Sequence, residues 1–324
     1  MTFVATLISN PAAPALDAAA IERARAALPS PQAPTWLDPG IAADIPFNAT
    51  QNDSQVIDNS RAIDNSRAID NFRPIDSRAL ADRVRAALAG APIDVVVQRA
   101  AGRRKALFLA DMDSTMIGQE CIDELADHVG VKGHVAAITE RAMRGEIEFA
   151  PALRERVALL RGLRASAVDE VIDQRIHLTP GARTLIATLR KNGAYTCLVT
   201  GGFTLFTQRI AALIGFDENR ANTLVVDADR RLTGEVAEPI FGREAKLATL
   251  IELTRRFNLA PENTLVAGDG ANDIAMIQAA GLGVAYHAKP KVAQAAAARI
   301  DHGDLTALLY AQGYRRDEFV SDQG

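Results

Sequence analysis

The sequence predicts an α/β protein: a doubly wound parallel sheet with an inserted block of helices, preceded by a small α+β unit. Three observations support this class. The apolar run 106–110 ends in Asp111 and Asp113, as a buried central strand does at the carboxyl edge of a parallel sheet. Apolar strands and amphipathic helices alternate after residue 179. Between these two stretches, residues 119–178 carry apolar side chains at helical spacing.

Residues 1–100 are predicted to form a ferredoxin-like unit, because their elements follow the order β-α-β-β-α-β. Strands are expected at 3–8, 36–37, 41–47 and 93–98, and helices at 16–28 and 78–89. A hexad, Ile-Asp-Asn-Ser-Arg-Ala, begins at Ile57, recurs at Ile63 and returns imperfectly at Ile69 and Ile75. Because Asp, Asn and Ser disfavour strands, we interpret residues 50–78 as a low-complexity insertion rather than a solenoid.

The composition excludes several classes of protein. A chain of 324 residues with 48% hydrophobic residues fills two domains, and a net charge of −4 without a basic block argues against nucleic acid as a partner. No apolar run approaches the ~20 residues of a membrane helix, and the start lacks a basic signal region.

Cys121 and Cys197 lie far apart, which predicts structural thiols in a reduced, cytoplasmic protein. We expect a small molecule as partner, neither nucleic acid nor membrane, and leave a homodimer open.

Residues 101–324 are predicted to form the second domain, with the helical block at about 119–178 as a candidate lid or cap. Helices are expected at 120–128, 134–144, 150–160 and 167–176. Ser166 and Asp169 suggest a capping box, and Thr179 with Pro180 suggests the start of the next helix. A strand is expected at 195–199, and residues 224–226 and 232–236 read as a hairpin.

Polar groups follow three of the predicted strands, and a lysine lies near a helix start. If these strands are neighbours, their carboxyl ends meet at one edge of the sheet. The glycines let backbone N–H groups approach an anion, and hard oxygen ligands suit Mg²⁺, which favours substrate phosphates. The sequence therefore predicts magnesium-dependent phosphate chemistry. The groups concerned are Asp111, Asp113, Thr200, Gly201, Lys246, Asp269, Asn272 and Asp273.

The charges suggest a mechanism. A carboxylate attacking a phosphate meets like-charge repulsion, which Mg²⁺ and Lys246 would offset. Asp111 is then the nucleophile that forms an acyl phosphate, and Asp113 protonates the leaving alkoxide and later activates water. Taken alone, an Asp-x-Asp motif is usually a solvated turn, and a single lysine is usually a surface residue. The prediction therefore depends on the placement of all these groups together.

These segments resemble the four ordered motifs of the haloacid dehalogenase superfamily of phosphatases, and in detail its phosphoserine phosphatases. The motifs are Asp111-Met-Asp-Ser-Thr, Thr200-Gly-Gly, Lys246 and Gly268-Asp-Gly-Ala-Asn-Asp, and the resemblance covers 105 to about 310. It implies Asp111 as nucleophile, Asp113 as general acid/base, and Thr200 and Lys246 on the phosphate, with Asn272 beside it. It also implies Mg²⁺ held by Asp111, Asp269 and the backbone carbonyl of Asp113, with Asp273 close by.

The same resemblance implies that the cap recognises the substrate. Glu120 and Arg156 match the residues that accept the ammonium and hold the carboxylate of an amino acid. Met143 and Phe149 match the apolar wall. Two departures are Thr200, where Ser is usual, and Met112, where Phe is more usual. The N-terminal unit resembles amino-acid-binding ACT-like domains.

The expected activity is Mg²⁺-dependent hydrolysis of O-phospho-L-serine through a phosphoaspartate, the last step of serine biosynthesis. Two alternatives within the superfamily remain: a phosphotransferase acting on another amino alcohol, and a phosphatase for another small phosphomonoester. A receiver-type signalling module is also phosphorylated on Asp, but it would lack the helical insertion and an acid/base two residues after its nucleophile. A catalytically inactive serine sensor is disfavoured by the complete set of catalytic groups.

Overall fold

The computed structural model describes residues 2–49, 76–143 and 146–321, without the side chain of Met143. Apart from residues 76–78, the predicted hexad insertion lies outside the described residues. The chain divides into two compact units. Unit 1 contains Met1–Lys105 and Ala297–Phe319, and unit 2 contains Ala106–Ala296 and Val320–Gly324.

The described strands are numbered in chain order. They are β1 (Thr2–Ser9), β2 (Thr35–Asp38), β3 (Ala42–Asn48), β4 (Ile93–Arg99), β5 (Leu107–Ala110), β6 (Tyr195–Phe203), β7 (Glu218–Asn222), β8 (Leu224–Val226), β9 (Leu232–Val236), β10 (Thr264–Gly268), β11 (Leu282–Tyr286) and β12 (Ala298–Ile300).

The described α-helices are numbered in the same way. They are α1 (Ala18–Ala26), α2 (Ser77–Ala87), α3 (Cys121–His128), α4 (Lys132–Met143), α5 (Phe149–Ala158), α6 (Ala167–Arg175), α7 (Ala182–Lys191), α8 (Thr204–Ile214), α9 (Arg243–Arg256), α10 (Ile274–Ala279), α11 (Pro290–Ala295) and α12 (Ala307–Ala311). A π-helical turn spans Met112–Met116, and short 3₁₀ turns span Pro261–Asn263 and Arg316–Glu318.

Unit 1 contains an antiparallel sheet in the order β2-β3-β1-β4, which confirms the predicted α+β unit. Because side chains alternate along a strand, Phe3, Ala5 and Leu7 of β1 face one side of the sheet. They share a core with Ile21 of α1 and Val84 of α2. The two amphipathic helices therefore cover one face of the sheet.

A buried carboxylate on β4 ties the C-terminal segment of unit 1 to its sheet. Asp94 is 2% exposed and accepts backbone N–H groups from Asp301 at 2.7 Å and from Gly303 at 2.7 Å. His302 N–H contributes two longer bonds of 3.2 Å. Burial raises the pKa of Asp94, whereas the backbone donors lower it. Three backbone N–H groups thus share one acceptor side chain.

Unit 2 contains five parallel strands in the order β11-β10-β5-β6-β7. The predicted parallel sheet is confirmed, and β5 pairs with both β10 and β6, so the ends of these three strands adjoin. The unbroken apolar run of β5 is explained by its position, because all four of its residues are buried in a sheet covered by helices. The predicted hairpin is also present as β8 and β9.

Helices α3 to α6 form the helical block between β5 and α7, close to the predicted bounds. One predicted capping box and one predicted helix start were wrong. Ser166 precedes α6 but makes no side-chain cap bond, because its own backbone is already helical. Helix α7 begins at Ala182 after Gly181, whose φ of 83° reverses the chain, rather than at Thr179.

The structure departs from the sequence prediction in its strands as well. Strand β6 continues through Thr200 to Phe203, and β7 and β12 have no counterpart among the predicted elements. Over the ranges that the structure describes, no helix combines the length and the apolar character needed to cross a bilayer.

Asp94→Ala should lower the free energy of unfolding by roughly 2–4 kcal/mol, because it removes a buried acceptor shared by three backbone N–H groups. Urea unfolding measures the change. Asp82→Ala is the control, since Asp82 is 57% exposed in its pair with Arg85 and should contribute about 0–1 kcal/mol. Equal losses in the two variants would contradict this role of Asp94.

Candidate active site

Three strand ends meet at the carboxyl edge of the sheet in unit 2. Ala110 of β5 lies opposite Ala267 of β10 and Leu198 of β6. The backbone N–H of Asp111 still bonds to Ala267, at 3.0 Å, so this residue leaves the strand at the same level as Asp269. The parallel register therefore brings together Asp111 and Asp269, which follow β5 and β10, and Thr200, which lies within β6.

The π-helical turn after β5 bends the chain back over this edge. Its Asp113 has an extended backbone, and Ser114 has a φ of 54°, in the left-handed region that non-glycine residues seldom adopt. Ile117 N–H closes the turn on the Met112 carbonyl at 3.1 Å. The Met112 N–H points inward and donates to Asp111 Oδ1 at 2.7 Å. The turn thus holds the first carboxylate in place.

Lys246 is the buried cation of the site. It is 0% exposed, and its Nζ lies 2.8 Å from Asp111 Oδ1 and 2.7 Å from Asp273 Oδ1. Burial alone would lower the pKa of Lys246, but the two carboxylates raise it above its ordinary value. The lysine therefore remains charged, and two buried carboxylates share its single positive charge.

The acidic groups fit a divalent metal ion. Carboxylate oxygens of Asp111, Asp269 and Asp273 lie within 4.8 Å of one another, and all three residues are buried. Burial and the charge of Asp111 raise the pKa of Asp269 to about 6 and also raise that of Asp273, which Lys246 lowers. One lysine thus leaves the acids short of positive charge, and the donors are hard oxygens, which Mg²⁺ and similar ions prefer.

Asp113 is not one of the three clustered carboxylates, and its side chain has other neighbours. Burial, with the charges of Glu120 and Asp111, raises its pKa well above the ordinary value. Its Oδ1 accepts the Cys121 N–H at 3.4 Å, and a Cβ placed on Gly202 would lie 3.2 Å from its Oδ2. The environment of Asp113 therefore favours the protonated carboxyl.

Glycines let the backbone of β6 approach the site closely. A Cβ on Gly201 would lie 3.1 Å from the ring of Phe149, which is 40% exposed at the start of α5. The Gly202 N–H donates to Thr200 Oγ1 at 2.9 Å, so the hydroxyl is held at the strand end. These contacts leave little room for larger side chains at 201 and 202.

Glycines also shape the loop after β10. A Cβ on Gly268 would lie 2.5 Å from Asp273 Oδ2, and one on Gly270 would lie 2.4 Å from Asn272 Oδ1. The Gly270 N–H donates to Asp273 Oδ2 at 3.0 Å. The two glycines are therefore required for Asn272 and Asp273 to fold back towards the strand end.

The cap contributes a carboxylate and a guanidinium. Ser114 Oγ donates to Glu120 Oε1 at 2.8 Å, and burial raises the pKa of Glu120. Burial lowers the pKa of Arg156, whereas the nearby charges of Asp123 and Glu120 raise it. One end of the site thus carries opposite charges suited to a zwitterion.

Most predicted site residues lie at this edge of the sheet or in the cap above the turn, while the side chain of Met143 lies outside the described residues. The sequence analysis missed Asn222, whose amide donates to the carbonyls of Gly201 and Phe241 at 2.8 and 3.0 Å. It also missed Lys289, whose N–H bonds to the Asp269 carbonyl at 3.3 Å. Lys289 follows the apolar strand β11, a signal that the sequence did contain.

Comparisons with known proteins agree with this geometry. Residues 108–278 match the family model of haloacid dehalogenase-like hydrolases. A phosphoserine phosphatase of Polaromonas sp. is 45% identical over 208 residues, which cover 63% of this chain and 88% of that protein.

Two solved structures are also similar. A phospho-aspartyl intermediate analogue of phosphoserine phosphatase has a TM-score of 0.59 at 38% identity and covers 64% of this chain and 98% of its own. A haloacid dehalogenase family hydrolase from Salmonella enterica serovar Typhi has a TM-score of 0.77 at 25% identity. It covers 96% of this chain and 98% of its own.

Lys246→Met should lower the free energy of unfolding in chelator by roughly 3–5 kcal/mol, because two buried carboxylates lose their counter-charge. Chemical denaturation at neutral pH measures the loss. Lys191→Met, at the exposed end of α7, is the control and should stay within about 0.5 kcal/mol of the wild type. A Lys246 variant as stable as the control would show that the lysine does not balance these charges.

Proposed function

Because the chain belongs to the haloacid dehalogenase-like hydrolases and, within them, to the phosphoserine phosphatases, we propose that it hydrolyses O-phospho-L-serine to L-serine and inorganic phosphate. The observation that carries this proposal is the charge cluster at the sheet edge. Asp111, Asp269 and Asp273 converge within 4.8 Å, and Lys246 bonds to two of them.

Asp111 is the proposed nucleophile. Met112 N–H and Lys246 Nζ both bond to its Oδ1, so the carboxylate is oriented before a substrate arrives. Attack on phosphorus forms a phosphoaspartate and breaks the bond between phosphorus and serine Oγ, so that serine leaves. We propose that the phosphoryl oxygens are bound by Lys246, the Thr200 hydroxyl, the Gly201 backbone and the Asn272 amide.

Asp113 is the proposed general acid and base. Burial raises the pKa of its carboxyl, which favours the proton that Asp113 is proposed to donate to the leaving serine Oγ. The resulting carboxylate then takes a proton from the water that attacks the phosphoaspartate, which regenerates Asp111 and releases phosphate. One residue thus serves both half-reactions.

Glu120 and Arg156 support serine as the leaving alcohol. Glu120 accepts from the substrate ammonium, and the Arg156 guanidinium holds the carboxylate. Phe149, exposed beside Gly201, covers the phosphate end with an apolar surface, and Met143 is proposed to extend it. A substrate lacking either charged group would leave one of these side chains unpaired.

The metal is proposed to be Mg²⁺. Asp111 and Asp269, with the backbone carbonyl of Asp113, would hold it, and Asp273 would lie beside it. When bound, the ion supplies positive charge that screens the carboxylate from the phosphate. We further propose that the enzyme performs the last step of serine biosynthesis, and that it does so in the cytoplasm.

A phosphate-release screen over phosphorylated amino acids, sugars and nucleotides, with and without Mg²⁺, tests the function. We expect O-phospho-L-serine to give the highest kcat/KM and Asp111→Asn to lower kcat roughly 10⁴-fold or more. Asp113→Asn should lower kcat roughly 10²–10⁴-fold.

A higher kcat/KM for a sugar or nucleotide phosphate would overturn the substrate assignment in favour of another phosphomonoester. Product analysis with added amino alcohols separates hydrolysis from phosphotransfer. Retained turnover by Asp111→Asn would refute the covalent route.

Metal binding has a readout independent of activity. At free Mg²⁺ about 100 times Kd, the wild type should gain ~2.7 kcal/mol of stability over the chelated protein, seen as a rise in Tm. Asp269→Asn should lose most of this rise, because it removes a candidate ligand. Asp229→Asn, on the exposed hairpin turn, should keep it. A full rise in Asp269→Asn would place the ion elsewhere.

A further inference from the structure

The guanidinium of Arg156 is held by a second cap helix. Its Nη1 donates to Thr139 Oγ1 on α4 at 3.3 Å, and its Nε donates to the Ala152 carbonyl at 3.3 Å. Thr139 Oγ1 in turn donates to the Val135 carbonyl, one helical turn earlier, at 3.1 Å. A chain of hydrogen bonds therefore runs from the backbone of α4 to the arginine.

The direction of this chain depends on the hydroxyl. A guanidinium can donate hydrogen bonds but cannot accept them. An uncharged neighbour that orients the guanidinium must therefore accept a hydrogen bond from it. The Thr139 hydroxyl gives its single proton to Val135, which fixes the side-chain rotamer and turns the oxygen lone pairs towards Arg156. The two bonds described for Arg156 use one hydrogen on Nε and one on Nη1.

Two carboxylates at and near the start of α3 also act on this guanidinium. The charges of Asp123 and Glu120 raise the pKa of Arg156, which burial lowers, and Arg156 in turn lowers the pKa of Asp123, which burial raises. These carboxylates attract the guanidinium, whereas a neutral hydroxyl sets its direction. Without Thr139, we expect the acids to reorient the guanidinium and with it the donors that are proposed to bind a substrate carboxylate.

We propose that Thr139 is a positioning residue: its hydroxyl directs Arg156 and so confers preference for phosphate esters that carry an α-carboxylate. This inference rests on the proposed phosphoserine phosphatase function. Thr139 acts through Arg156 and not on the reacting atoms, so its effect falls on KM for carboxylate-bearing substrates.

The test compares O-phospho-L-serine with O-phosphoethanolamine, which keeps the phosphate and the ammonium but lacks the carboxylate. Thr139→Val has nearly the same shape without the hydroxyl. It should lower kcat/KM for O-phospho-L-serine roughly tenfold, mainly through KM, and change that for O-phosphoethanolamine by less than about twofold. Thr139→Ser should restore the wild-type ratio.

Two controls separate this role from a general effect on helix stability. Thr254→Val removes a similar bond, from Thr254 Oγ1 to the Leu250 carbonyl at 2.7 Å in α9, and should leave the substrate ratio unchanged. In an Arg156→Ala background, adding Thr139→Val should have no further effect on the ratio, because the group that Thr139 positions is gone.

Equal losses on both substrates in Thr139→Val would overturn the inference, and so would a ratio that Thr139→Ser fails to restore. The rate with O-phosphoethanolamine reports whether each variant is folded and active. A wild-type enzyme inactive towards O-phospho-L-serine would overturn the proposed function itself. A wild type that prefers O-phospho-L-serine, with Thr139→Val unchanged, would overturn the role of Thr139 alone.

Discussion

The ion pairs between Lys246 and the carboxylates of Asp111 and Asp273 are the interaction on which the site depends. A fully buried ammonium is tolerated only beside opposite charge, and buried acids are tolerated only beside positive charge. These groups come from β5, the loop after β10 and helix α9, so the pairs hold three separate segments in one arrangement. The remaining negative charge, on Asp269 above all, is what makes the site suited to a metal ion.

Parallel pairing of β5, β6 and β10 is the geometric constraint that makes these pairs possible. Asp111 follows the end of β5 and Asp269 follows the end of β10, while Thr200 lies within β6 at the same edge. Close approach then requires glycines: at 268 and 270 a side chain would overlap Asp273 or Asn272, and at 201 it would press against Phe149. The positions of the acidic side chains therefore depend on the glycines beside them.

The cap adds recognition to a charge arrangement that alone suits any phosphate ester. Glu120 lies at the junction, joined to the catalytic turn through Ser114, whose left-handed backbone brings the two side chains together. Arg156 is held by α4 and by the charges of α3. Selectivity for an amino acid thus depends on packing between cap helices, whereas the proposed phosphoryl transfer depends on the sheet edge.

The sequence alone determined the fold class, the parallel sheet and the residues that converge at its edge, because apolar runs followed by carboxylates and glycines are local patterns. It did not give β7, β12 or the extension of β6, whose sequences lack a strong strand pattern. Only the tertiary structure revealed that Asp94 binds the backbone of residues 301–303 and that Asn222 links Gly201 to Phe241. It also revealed that Thr139 holds Arg156. Each of these contacts joins residues far apart in the chain or on different helices, and hydrogen-bond partners at such separations leave no periodic signal in a single sequence.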